Sequence, residues 1–84
     1  MKRIRHAVLL ISSDETQREL GVRLKALKDH KSAIIENPVD EEYRNNLPFL
    51  ITGVGYWMGI GDINRYLSNF EGKQARRKRF NIAA

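Results

Sequence analysis

Apolar residues in this chain come in short runs whose period changes at polar punctuation. The first run is Val8-Leu9-Leu10-Ile11, preceded by Ile4 and bounded by Ser12-Ser13-Asp14. A short continuous apolar run with β-branched residues predicts a strand over residues 4–11, buried on both faces as in a parallel sheet. Ile4, Val8 and Ile11 also fit helical spacing, but the brevity of the run favours the strand. Beyond Asp14 the period lengthens. Leu20, Leu24 and Leu27, joined less tightly by Val22 and Ala26, recur as one helical stripe, with Arg18, Arg23, Lys25 and Lys28 on the water side. Ser12 with Glu15 forms a capping box, and Asp14 and Glu15 put negative charge at the positive end of the helix dipole. Lys28, His30 and Lys31 suit its C-terminal end, where His30 reads as a solvated or dipole-pairing residue.

Ser32-Ala-Ile-Ile-Glu36 predicts a second strand, and Asn37-Pro38 closes it, because the residue before proline avoids the α region. Asp40 to Asn46 gives one or two helical turns opened by acidic residues. Phe49 to Thr52 has strand composition, and Gly53-Val54-Gly55 turns the chain into a further strand, Tyr56-Trp57-Met58. Tyr56 and Trp57 are adjacent, so they point to opposite faces: one into the core, the other outward, where an aromatic can anchor a partner. After Gly59 and Gly61, Asp62 is a good N-cap for a helix carrying Ile63, Tyr66, Leu67 and Phe70, and Gly72 is its natural stop. The predicted order is β-α-β-α-β-β-α, an α/β domain over residues 1–72 followed by a tail over residues 73–84.

Charge separates those two parts. Residues 1–71 balance ten Lys and Arg against ten Asp and Glu, so the net charge of +5 resides in Lys73, Arg76, Arg77, Lys78 and Arg79. Such a cluster can neutralise several phosphates; at a chain end it also serves simply as a solubilising terminus. Zero cysteines exclude disulfides, thiolate catalysis and thiolate metal sites. His6 and His30 fall in different elements and make no metal-ligand pair by themselves. The apolar run Ala7–Ile11 is shorter than a signal-peptide core. Residues 47–61 are interrupted by four glycines and a proline and fall short of the roughly 20 residues that span a bilayer. A cytoplasmic, non-membrane protein is the expectation.

The order of elements and several local sequences resemble the glutaredoxins, the smallest members of the thioredoxin fold, over residues 7–71. Ser32-Ala-Ile-Ile-Glu-Asn-Pro-Val-Asp40 is similar to their second strand and the Pro-hydrophobic-Asp step after it. Leu47-Pro48 before Phe49-Leu-Ile resembles the Val-Pro that opens their third strand, where the proline is cis. Trp57-Met-Gly-Ile-Gly-Asp-Ile63 resembles their Ile-Gly-Gly-x-Asp-Asp-Leu corner, with Met58 at the place of the first glycine. Where the family carries its nucleophilic cysteine, this chain has Ser13-Asp-Glu-Thr-Gln-Arg-Glu19, and two carboxylates stand where a thiolate would need positive potential. The resemblance implies a glutathione site at the Leu47 backbone and Asp62. The family's basic residue before the cysteine is missing, with Ser13 near its place.

These readings lead to a cysteine-free glutaredoxin-like domain that works by binding, with no cofactor and no catalytic constellation. The expected partner is another protein, met by Leu47, Pro48, Tyr56, Trp57 and Asp62 as an adaptor or inhibitor. The rival expectation is nucleic acid, met by Lys73, Arg76, Arg77, Lys78 and Arg79. A glycine followed by Asp62-Ile-Asn-Arg-Tyr-Leu67 also resembles a helix-turn-helix recognition segment, although Gly53 and Gly55 make a poor first helix before it.

Overall fold

A computed structural model describes residues 4–83, with side chains described for residues 4–72. Its elements are β1 (Arg5–Ile11), α1 (Glu15–Lys25), β2 (His30–Glu36), α2 (Glu41–Arg44), β3 (Phe49–Thr52), β4 (Gly55–Met58) and α3 (Ile60–Ala83). The strands form one mixed sheet in the order β2-β1-β3-β4, with β1 and β2 parallel and the other two pairs antiparallel. The β1–β2 ladder is extended at both ends, by Arg5 N–H to the Asp29 carbonyl at 2.8 Å and Asn37 N–H to the Ile11 carbonyl at 2.7 Å.

Alternation along each strand sorts the side chains onto two faces. The cross-strand register puts Ala7, Leu9 and Ile11 with Ile34, Leu50 and Trp57 on one face. There they meet Leu20, Leu24 and Leu27 of the α1 segment and Ile63, Tyr66 and Leu67 of α3 in a single core. The helical stripe expected at Leu20, Leu24 and Leu27 is therefore the buried one; Val22 and Ala26 instead face solvent. Gly21 is buried because α1 lies close to β2 there, with a hypothetical Cβ 3.4 Å from Cγ2 of Ile34.

Several local devices differ from the expected ones. The α1 cap is Asp14 rather than Ser12: its carboxylate accepts the Gln17 N–H, while Gln17 Oε1 accepts the Ser12 N–H at 2.8 Å. Asp14 therefore caps the helix two residues later than Ser12 would, with Gln17 reaching back past it to the Ser12 N–H. Helix α3 begins at Ile60, so Asp62 sits in its first turn and not at its cap. Gly59, at φ +89°, makes the corner before it, and its carbonyl accepts the Ile63 N–H at 3.1 Å. The helix also continues through Gly72 to Ala83, so no helix end marks the boundary expected there. Glycine disfavours a helix interior by only about 1 kcal/mol, and the following Lys-Gln-Ala-Arg-Arg-Lys-Arg are strong helix formers. The Leu47–Pro48 peptide is cis, the geometry the resemblance implies at that position.

Candidate functional site

Helices α1 and α3 both lie on the Leu9 face of the sheet, which leaves the other face to α2 alone. The register assigns to that second face His6, Val8 and Leu10 of β1, Lys31, Ala33 and Ile35 of β2, Phe49 and Ile51 of β3, and Tyr56 and Met58 of β4. Only one end of it is sheltered. Tyr43 of α2 packs on Phe49 with ring centroids 5.6 Å apart, and Leu10 is buried at the same end. Val8 and Ile51 are half-buried, and beside the sheltered residues the apolar side chains are open, Tyr56 at 64%, Met58 and Ile35 each at 45%. Tyr56 is held flat against Phe49, centroids 5.5 Å apart and planes 7° from parallel, so it is a rigid exposed aromatic. A depression of about 410 Å³ lies over Val8, Ala33 and Ile51, with His6 and Lys31 at its basic end. Asp40, Glu41 and Glu42 follow β2 at the opposite, acidic end.

The residues expected to meet a partner do not form one site. Pro48 is buried, and its carbonyl accepts the Gly59 N–H at 3.0 Å, which ties the start of β3 to the corner before α3. Leu47 beside it is half-buried. Tyr56 belongs to the open face, whereas Trp57 is half-buried on the helix side, its indole 4.6 Å from the Tyr66 ring. Trp57 and exposed Asp62 do come together, in a depression of about 300 Å³ shared with Arg65, Tyr66 and Asn69. The side chains of Lys73, Arg76, Arg77, Lys78 and Arg79 lie outside the described residues. The segment before α3 is a β-hairpin, so the helix-turn-helix arrangement is not formed.

His30 departs most from its expected role. It opens β2 and packs edge-on against Tyr66 and Phe70, with centroids 5.7 and 4.8 Å away. Its Nε2 lies 2.7 Å from the Tyr66 hydroxyl oxygen, while Nδ1 is buried with no hydrogen-bond partner. We assign the proton to Nε2, which then donates to Tyr66, because an unpaired buried N–H is worse than an unpaired lone pair. An imidazolium would need a second N–H on that orphaned Nδ1. Burial, and then the nearby positive charge of Arg5, accordingly hold His30 below its ordinary value. Burial also pushes the Tyr66 phenol up.

The candidate nucleophile and acid at the start of α1 are both engaged in structure. Ser13 Oγ accepts the Asn37 amide at 2.7 Å and Asp14 is occupied as the α1 cap, so neither is paired with a base. Among the described residues, no group of three or more His, Asp or Glu is placed to hold a metal ion, and no helix is long and apolar enough to cross a membrane. Comparison with protein-family models, curated proteins and solved structures yields no match.

Sequence reasoning missed most of the open face. Val8, Ile35, Ile51 and Met58 sit at alternate strand positions, so the pattern was present. In β1, however, the unbroken Val8–Ile11 run reads as burial on both faces, and only knowledge of where the helices pack reveals that one side is left uncovered.

Proposed function

We propose that this protein is a non-redox binding module of glutaredoxin-like architecture, and that its open sheet face docks an amphipathic helix of another protein. The element order and the mixed β2-β1-β3-β4 sheet support the architectural reading. The absence of cysteine removes the chemistry of such a domain and leaves its surfaces.

One observation carries the functional part: two helices cover the Leu9 face, while a single-turn helix shelters one corner of the Val8–Ile51–Tyr56 face. A sheet face of this composition buries itself against helices, as the opposite face already does here. The occupant would lay apolar residues over Val8, Ile35, Ile51 and Met58. Acidic residues at one of its ends would meet His6 and Lys31, and basic residues at the other would meet Glu41 and Glu42. Tyr56, rigid and exposed, is the natural anchor.

The test is affinity capture from the native host after nuclease treatment, with the full chain and with Met58→Glu and Tyr56→Ala variants. Both sites are exposed on the edge strand β4, so the variants should fold. One stoichiometric protein recovered by the parent chain and lost with Met58→Glu is the expected result. A partner retained by both variants, or self-association of the purified chain that Met58→Glu abolishes, overturns the reading.

A further inference from the structure

Trp57 is the wall between two depressions on the side of the molecule opposite the open sheet face. One is the 300 Å³ hollow with Arg65, Tyr66 and Asn69. The other, of about 500 Å³, is bounded by Arg5 of β1, Val54 of the β3–β4 turn, and Tyr66 and Phe70 of α3. Both reach the size of small-ligand sites, roughly 300–1,000 Å³. The linings combine aromatic rings with one arginine on each side of the indole. The rings are held by one another: Tyr66 packs 4.9 Å from Phe70 and 4.6 Å from Trp57, its hydroxyl is fixed by His30, and the Arg5 guanidinium lies 5.0 Å over the Phe70 ring.

The surroundings of this track are charged unevenly. Asp62 lies at the end nearest the start of α3, and a carboxylate there repels an anion. Toward the other end come Arg5, preceded in sequence by Lys2 and Arg3, and the C-terminal half of α3, which holds all the net charge of the chain. Arginines on both sides of an aromatic platform suit single-stranded nucleic acid, whose bases stack on rings while its phosphates meet positive charge.

We infer that the Trp57 track binds single-stranded nucleic acid, one base stacking at Trp57 with its flanking phosphates on Arg5 and Arg65. This goes beyond the docking face, whose hollow it meets only at His6, Thr52 and Gly53 on the rim of the larger depression. Trp57→Phe keeps a smaller stacking ring, whereas Trp57→Leu removes it.

Trp57 is the single tryptophan, so its fluorescence reports directly on the proposed contact. Titrating the full-length protein with a thymidine homo-oligonucleotide should quench it saturably, and affinity should fall roughly tenfold or more between 50 and 200 mM salt. By anisotropy of a labelled oligonucleotide, Trp57→Leu should bind about fivefold to hundredfold more weakly, with Trp57→Phe between it and the parent. Arg5→Gln, at an exposed position, should weaken binding and reduce the salt slope by roughly one phosphate's share. Circular dichroism checks that each variant keeps its fold. No binding at 50 mM salt overturns the inference. Binding without quenching, or unaltered in both Trp57→Phe and Arg5→Gln, also overturns it, since the basic segment alone would then account for it. So does equal quenching by poly-glutamate, which would make the ligand an acidic polypeptide.

Discussion

Arg23 of α1 closes on Glu71 of α3 as a fork, Nη2 donating to Oε1 at 2.7 Å and Nε to Oε2 at 3.0 Å. Its third nitrogen, Nη1, donates to Asn64 Oδ1 at 2.6 Å, so one side chain spans two turns of α3. Arginine at this position reads from sequence as a water-facing residue of α1. The fork instead fixes α3 against the body immediately before its basic half departs.

Both side chains of that fork are partly exposed, so its strength is limited by solvent and salt. Arg23→Ala should destabilise by about 1 kcal/mol, through loss of the pair, since exposed Asn64 is left to water. A double-mutant cycle with Glu71→Ala should give a coupling of about 1 kcal/mol that shrinks in high salt. The guanidinium holds the Glu71 carboxyl below its ordinary 4.5. Its contribution is therefore full above that value and is lost as pH falls through the lower folded-state value. Urea denaturation of the four proteins at pH 7 and pH 3 measures both effects.

Gly21 offers an opposite result at a buried position. An added methyl would meet the Ile34 side chain at 3.4–3.6 Å, which is contact without overlap. Gly21→Ala should therefore leave stability unchanged or raise it by up to about 1 kcal/mol, as alanine replaces glycine inside a helix. Gly21→Leu drives a branched side chain against Ile34, which the Cβ alone already touches, and should lower stability by about 1–3 kcal/mol. The urea midpoints of the two variants should move in opposite directions.

The strands were legible because their signals are local. Phe49–Thr52 is a strand at the expected residues, and β1 and β2 differ from expectation only at their starts. Trp57 and Tyr56 do divide between the two faces, as adjacency on a strand requires. The ends of helices were less legible, since Ser12, Asp14, Gly59 and Asp62 all carry cap chemistry and only the three-dimensional path chooses among them. The tertiary roles of Arg23 and His30 were not legible at all. A helix surface cation and a pre-strand histidine acquire partners 48 and 36 residues away, at Glu71 and Tyr66, and no local pattern records that.

Gly59 is the one glycine among the described residues whose backbone needs the absence of a side chain. It has φ +89° with open space around the missing Cβ, so any penalty on substitution is conformational and not steric crowding. Gly59→Ala should lower stability by about 1–2 kcal/mol, and Gly59→Asn by less, because asparagine tolerates positive φ. Gly53→Ala is the control: it also has free space and no positive φ, so its thermal midpoint should match or slightly exceed the parent's.

His30 should make the fold sensitive to mild acid. Its folded-state value lies below the ordinary 6.5, so in the unfolded chain it takes up a proton at a higher pH than it does in the native protein. The neutral, Tyr66-bonded form thus favours folding fully above about pH 6.5. As pH falls below that, the unfolded state gains a proton the folded state lacks, and stability declines until the lower folded-state value is passed. His30→Gln, which cannot titrate, should flatten the thermal midpoint between pH 7 and pH 5.5. Tyr66→Phe removes the partner of Nε2, so it should lower stability at neutral pH while retaining a slope, because burial and Arg5 still oppose the imidazolium. If the parent and His30→Gln show the same slope across that interval, the histidine is not the source, and its imidazole is solvated at the start of β2 instead of half-buried against Tyr66 and Phe70.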